Sequence, residues 1–232
     1  MLVYTIKELC RTCYTCVREC PAKAIRIVGG QAEVIDERCI ACGNCTKVCS
    51  QGAKVFLNTT DRVLKLLDGK KPSAAMIAPS FPAEFQETED HRVLVGMIRA
   101  LGFTYVHEVS FGADLVAEKY RELVEESSQY YITSDCPSIV NYIKHYHPGL
   151  VDNLAPVVSP MVAMGRVIRA RYGNDINIVF IGPCVAKKAE AQSDPHHAVD
   201  AALTFTELME WFEIAKINLN DFEESAFDES PA

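Results

Sequence analysis

The spacing of the cysteines constrains this sequence more than any other feature. Eight of the ten lie within residues 10–49, arranged as Cys10-x-x-Cys13-x-x-Cys16-x-x-x-Cys20 and again as Cys39-x-x-Cys42-x-x-Cys45-x-x-x-Cys49. One pattern is used twice. Thiolates separated by two intervening residues let a short loop wrap three corners of an inorganic cage, while the fourth corner has to come from elsewhere. Residues 1–9 carry charged and polar side chains where a secretion signal needs an apolar run, so a cytoplasmic chain with reduced thiols is expected. In that setting metal ligation or redox chemistry competes better than a disulfide framework. Two zinc sites of four thiolates each would need two Cys-x-x-Cys pairs per site, which leaves the third step of each run without a use. Cys136 and Cys184 stand alone, dividing the chain into a metal-rich head and a cysteine-poor body.

The repeated run, with Pro21 directly after Cys20, resembles the cysteine pattern of bacterial two-cluster ferredoxins. That resemblance implies two [4Fe-4S] clusters that exchange their fourth ligands: Cys10, Cys13, Cys16 and Cys49 hold one, and Cys39, Cys42, Cys45 and Cys20 the other. Ser50 stands where a second proline is usual, which removes a rigid turn but no ligand. Between the runs, residues 24–28 and 32–35 alternate in polarity around Gly29-Gly30, the signal of a β-hairpin. Residues 1–57 are therefore expected to form an α+β ferredoxin-like 2[4Fe-4S] domain. It would relay single electrons, because neither cage keeps an open position for a substrate.

From residue 58 the pattern changes. Hydrophobic residues make up 49% and charged residues 23% of the whole, ordinary proportions for a folded globular chain. A formal net charge of -8 makes nucleic acid a poor partner, and an electron carrier such as a ferredoxin or another redox subunit a better one. No stretch approaches the roughly 18 to 20 apolar residues of a membrane span. Short apolar runs at 74–77, 104–107, 130–132 and 177–181 read as buried parallel strands. Amphipathic segments at 93–101, 113–126, 136–146 and 161–172 read as helices between them. Residues 58–232 thus read as an α/β domain with a mainly parallel sheet, in which ligands gather where strands end and helices begin. Both lone cysteines follow such runs, in Thr133-Ser134-Asp135-Cys136-Pro137 and in Gly182-Pro183-Cys184-Val185-Ala186-Lys187-Lys188. A helix N-terminus there favours negative charge on sulfur.

Thr133-Ser134-Asp135-Cys136-Pro137 is similar to the TSCCP motif of the [FeFe]-hydrogenases, and Pro183-Cys184-Val185-Ala186-Lys187-Lys188-Ala189-Glu190 to their PCxxKKxE motif. The resemblance extends to Ala78-Pro79-Ser80, Leu101-Gly102-Phe103, Gly112-Ala113-Asp114-Leu115 and Ser159-Pro160, nearly the whole body. The family commonly carries a two-cluster ferredoxin domain upstream. What the resemblance implies is an H-cluster, a [4Fe-4S] cube tied through one thiolate to a diiron unit carrying CO, cyanide and a dithiolate bridge. Cys136 and Cys184 would be two of the cube's four ligands, Lys187 would face a cyanide, and Pro79, Ser80 and Ser159 would line the pocket.

The departures from the family bear on activity. Asp135 stands where the family has a second, proton-passing cysteine, and a carboxyl group ionises several pH units below a thiol. Ala155 replaces the serine of the proton path, Met161 replaces a usual glutamine, and the path's glutamates are matched by Glu122 and less closely by Glu118. The third family motif, Glu-x-x-x-x-Cys-x-x-Gly-Cys, supplies the other two cube ligands, yet no cysteine follows Cys184. The hydrogenase-like domain is therefore expected to be incomplete, its chain truncated after a segment, 227–232, that resembles the entry to the next conserved region. An H-cluster is expected only where a longer protein supplies the missing cysteines.

These expectations describe an anaerobic iron-sulfur oxidoreductase for reversible H2 oxidation and proton reduction, of a sensory or low-turnover type, with Asp135, Lys187 and Glu122 as its catalytic candidates. A downstream sensory or signalling module fits the same picture. The competing expectation is an electron-transfer ferredoxin module on a degenerate, non-catalytic hydrogenase-like scaffold. A third, the hydrogenase-like iron-sulfur assembly factor of eukaryotic cytosol, is disfavoured by the regular bacterial cysteine runs. His145, His147, His196 and His197 lack matching ligands at metal spacing and read as surface residues, and Glu223-Glu224 reads as a solvated, frayed segment.

Overall fold

The computed structural model describes residues 2–86, 90–218 and 221–228. In chain order the strands and α-helices are β1 (Val3–Thr5), α1 (Thr15–Glu19), β2 (Ile25–Val28), β3 (Gln31–Val34), α2 (Asn44–Lys47), β4 (Lys54–Phe56), α3 (Thr60–Leu67), β5 (Ser73–Ile77), α4 (Phe81–Glu84), α5 (His91–Ala100), β6 (Tyr105–Glu108), α6 (Ser110–Glu126), α7 (Pro137–Tyr146), α8 (Pro160–Tyr172), β7 (Asn177–Gly182), α9 (Ala186–Ser193), β8 (Ala201–Thr204) and α10 (Phe205–Ala215). They form two compact units. One comprises Met1–Leu57, Gln129–Pro156 and Cys184–Glu190, and the other Asn58–Ser128, Val157–Pro183 and Ala191–Ala232. Among the described residues no helix is long and apolar enough to cross a membrane.

The first unit is a ferredoxin-like fold with two antiparallel strand pairs, β1 with β4 and β2 with β3. Gly29 and Gly30 join β2 to β3 with φ of +55° and +77°, the left-handed backbone that a two-residue hairpin turn needs and glycine adopts without a steric penalty. The small core beneath packs Val3, Ile25, Val34 and Ile40 with the buried Cys16 and Cys20, and Val185 joins it from the third segment. Residues 129–156 are fastened to this head by Tyr146, whose hydroxyl lies 2.6 Å from Ala22 O and 3.0 Å from Arg38 O. The strand expected at 130–132 does not form. Its backbone bonds to 153–155 instead, through Ile132 N to Asn153 O and Ala155 N to Ile132 O, leaving a single parallel bridge between Ile132 and Leu154. The apolar run misled because Tyr130 is 90% exposed and belongs to no buried strand.

The second unit is a four-stranded, wholly parallel sheet in the order β6-β5-β7-β8. Every residue of β5 and β8 is buried, as expected of strands covered on both faces. The fourth strand, β8, is short and alanine-rich, so its residue pattern alone carries no strand signal. Glu207 locks β8 to the start of α10. Its carboxylate accepts from Thr204 N and Thr59 N, both at 2.7 Å, and from the Thr204 hydroxyl at 2.7 Å. The segment holding Glu223 and Glu224 is tethered, contrary to the frayed end expected for it. Glu224 pairs with Arg92 at 2.8 Å, Ser225 N donates to Arg92 O, and Asp228 accepts from Val106 N at 2.7 Å and from Arg99 at 2.6 Å. Residues 229–232, part of the segment that resembles the next family region, lie outside the described residues.

Two stability predictions follow from buried polar groups in this unit. Replacing Glu207 by Ala strands two buried amides, and should lower unfolding stability by about 2–4 kcal/mol in a urea titration without changing its slope. His107 in β6 is buried beside Tyr105 and Tyr172, and neither ring nitrogen has a hydrogen-bond partner among the described residues. Burial holds its pKa below the ordinary 6.5. The unfolded chain therefore takes up a proton first, and stability present above pH 6.5 is lost as pH falls from there toward the depressed folded value. His107→Phe should flatten that part of the stability-against-pH curve.

Candidate iron-sulfur site

The cysteine runs of the first unit enclose two separate cavities. One is lined by Cys10, Cys13, Cys16 and Cys49. The other is lined by Cys20, Cys39, Cys42 and Cys45. Each cavity takes three cysteines from one run and the fourth from the other. The wrapping is made locally by left-handed residues at matching places in the two runs: Thr12 and Tyr14 with φ of +53° and +61°, Ala41 and Gly43 with +58° and +76°. For the three non-glycine residues this backbone is strained, at roughly 1–2 kcal/mol each, so the surrounding structure must impose it.

Electrostatics differ from sulfur to sulfur. Burial pushes the Cys45 thiol up to about 11, and raises Cys16 and Cys39 as well. Hydrogen bonding from the Ala32 and Thr12 backbone lowers Cys10, and the Thr15 hydroxyl with its amide lowers the exposed Cys13. Amides also approach sulfur at Cys20, from Ala24 N at 3.3 Å, and at Cys39, from Ala41 N at 3.4 Å. Among the described residues no three His, Cys, Asp or Glu side chains are grouped to hold one ion. Each thiol quartet stands around a space instead, which fits a cage of several atoms with soft thiolate corners.

The lone cysteines also belong to the first unit. Cys136 caps the N-terminus of α7, its carbonyl accepting from Ile139 N and Val140 N, and Cys184 precedes α9. Lys187 connects the two segments: its ammonium donates to Asp135 O at 3.0 Å and to Glu190 Oε2 at 2.7 Å. Both charged side chains are largely buried, at 12% and 19% exposure. Val185, next to Cys184, packs against Gly43 on the wall of the second cysteine cavity, where a Cβ added to the glycine would lie 3.3 Å from the valine methyl. Lys188 is fully buried, donates to Leu57 O at 2.9 Å and sits 5.2 Å from the Phe56 ring centre.

The remaining sequence candidates have structural surroundings of their own. Ala155 is buried with its amide on Ile132 O. In the second unit Pro79 and Ser80 are exposed in the turn leading into α4, Ser159 is buried and caps α8 by accepting from Val162 N, and Met161 is buried after it. Glu122 pairs with Lys119 at 2.7 Å and Glu118 with Arg121 at 3.1 Å, both within α6. His145, His147, His196 and His197 are exposed, as their spacing suggested. Sequence reasoning passed over Lys54, Lys188 and Tyr146. The available signal for Lys54 was a charge inside the apolar stretch Ala53-Lys54-Val55-Phe56.

A ferredoxin-like head with two four-thiol cavities, together with an α/β unit built on a parallel sheet, defines an iron-sulfur protein of the two-cluster ferredoxin type with an α/β body. Residues 71–232 match the model of the iron-only hydrogenase large subunit, C-terminal domain, and the chain belongs to that family. Residues 2–50 match a 4Fe-4S dicluster domain. Among curated relatives, NADP-reducing hydrogenase subunit HndD of Solidesulfovibrio fructosivorans is 25% identical over 229 residues, covering 85% of this chain and 39% of the relative. The cytosolic Fe-S cluster assembly factor NAR1 of Candida albicans is 24% identical over 187 residues, covering 66% and 30%. Among solved structures, a variant of [FeFe]-hydrogenase HydA1 from Chlamydomonas reinhardtii superposes with a TM-score of 0.64 at 25% identity, covering 75% of this chain and 51% of that one. The chain thus spans about half the length of this solved structure and less than half of either curated relative.

Lys187→Met should loosen the contact between the Cys136 and Cys184 segments. The amides of Ile139 and Val140 should then exchange with deuterium about tenfold faster or more, since a charge-assisted hydrogen bond is worth roughly 1.5–3 kcal/mol.

Proposed function

We propose that the first unit is an electron relay of two [4Fe-4S] clusters, one held by Cys10, Cys13, Cys16 and Cys49 and the other by Cys39, Cys42, Cys45 and Cys20. The grouping of the cysteines into two four-sulfur cavities carries this reading. When bound, such clusters store and pass single electrons without an exchangeable position. The protein's share is to supply the thiolates, exclude water from the buried sulfurs Cys16 and Cys20, and hold the loops in their left-handed turns. An electron carrier protein would meet the exposed Cys13 or Cys42 side of a cavity.

In the same reading the electrons serve reversible H2 chemistry in a full-length protein, with Cys136 and Cys184 as two of four thiolates of an H-cluster cube. Family membership and the packing of Val185 on the wall of the second cavity support it. This sequence contributes two of those four thiols, so a longer chain would have to supply the other two. Asp135 would hold the proton that a thiol holds in the family's motif. A second reading, an electron-transfer head on a non-catalytic scaffold, is favoured by one observation: the Lys187 ammonium already bonds to Asp135 O and Glu190.

The test is ligand exchange by mutation. In reconstituted protein, Cys20→Ala should abolish the cluster of the second cavity and Cys49→Ala that of the first. Each should remove about half of the bound iron and sulfide and change the paramagnetic resonance spectrum of the reduced protein. If Cys20→Ala instead disturbs the cluster of Cys10, Cys13 and Cys16, the exchanged assignment is wrong.

A further inference from the structure

Lys54 is an unusual residue for the inside of a small domain. It lies in β4 opposite Thr5 of β1, and 3% of its surface reaches solvent. Its ammonium donates to Thr5 Oγ1 at 2.5 Å and to Ala32 O at 3.3 Å, two acceptors for three protons. Among the described residues no carboxylate forms an ion pair with it. A buried ammonium without a counter-charge is strongly disfavoured, so a chain that keeps one has negative charge nearby in its working state. The sulfurs are the candidates. Lys54, Thr5 and Ala32 line the first cavity together with its four cysteines.

We propose that Lys54 is a fixed buried cation of the first iron-sulfur site, holding its reduction potential above what the thiolate quartet alone would set. The inference rests on the cluster reading above. Four thiolates leave a bound cluster with net negative charge, and reduction adds one electron from the donor with no proton to offset it. A cation nearby therefore stabilises the reduced form more than the oxidised form. The effect is largest at the first site, whose cavity Lys54 lines. Because the charge is buried, added salt screens it little. Lys54 acts on the cluster through its field and touches no substrate, so it is a tuning residue and not a catalytic one.

The experiment is a potentiometric titration of the reconstituted full chain, followed by paramagnetic resonance, with iron and sulfide measured on the same samples. Lys54→Met removes the charge at similar volume. Lys54→Gln keeps an N–H donor for Thr5 and Ala32 without charge, and Lys54→Arg keeps the charge. Both neutral variants should lower the reduction equilibrium constant of the first cluster by about tenfold, which is ~59 mV for a one-electron couple, and that of the second by less. The Arg variant should stay near wild type. A fully loaded Met or Gln variant with wild-type potentials overturns the proposal, as does an Arg variant that falls as far as Gln. A wild-type chain that takes up no iron and sulfide overturns the cluster reading beneath it, a result distinguishable from the others by the metal analysis alone.

Discussion

The exchange of one cysteine between the two runs is the constraint on which the first unit depends. Neither cavity can close from its own run, since the fourth sulfur of each arrives from the other repeat. The pairing of β1 with β4 and the hairpin of β2 and β3 bring the runs into this arrangement. The left-handed turns at Thr12, Tyr14 and Ala41 are strained backbone that the surrounding packing has to hold. Removing the partner run would leave those turns unsupported.

Buried charge is handled in a different way in each unit. In the second unit Glu207 is satisfied by amides and hydroxyls of Thr59 and Thr204, so its cost of burial is offset within the sheet-and-helix core. In the first unit Lys187 is paired with Glu190, and Lys188 is held by a backbone carbonyl and an aromatic face. Lys54 has hydrogen bonds but, among the described residues, no counter-ion of this kind. The difference separates two lysines fastened by the fold from one whose surroundings point toward the sulfurs.

Membership of the iron-only hydrogenase large-subunit family sets what the body is related to, while this chain covers only part of its relatives' length. The residues that depart from the family are accommodated by ordinary packing. Ala155 is buried with its amide satisfied, and Met161 fills core volume behind the cap of α8. Glu122 and Glu118 form exposed pairs along α6 that water screens.

By itself the sequence determined the repeated thiol pattern, the Gly29-Gly30 hairpin, three of the four parallel strands and the helices α5, α6, α7 and α8, but not α10. These are local or periodic properties, written in spacing and in alternation of polarity. It misplaced 130–132 as a strand, because an apolar run does not reveal whether its backbone partners lie in a sheet or, as here, in the loop at 153–155. It gave no sign of β8, of Tyr146 reaching Ala22 and Arg38, or of Lys187 reaching back to Asp135. Only the tertiary structure decided these. They join residues far apart along the chain, and a contact of that kind depends on where the packed backbone delivers each group, which no spacing rule encodes.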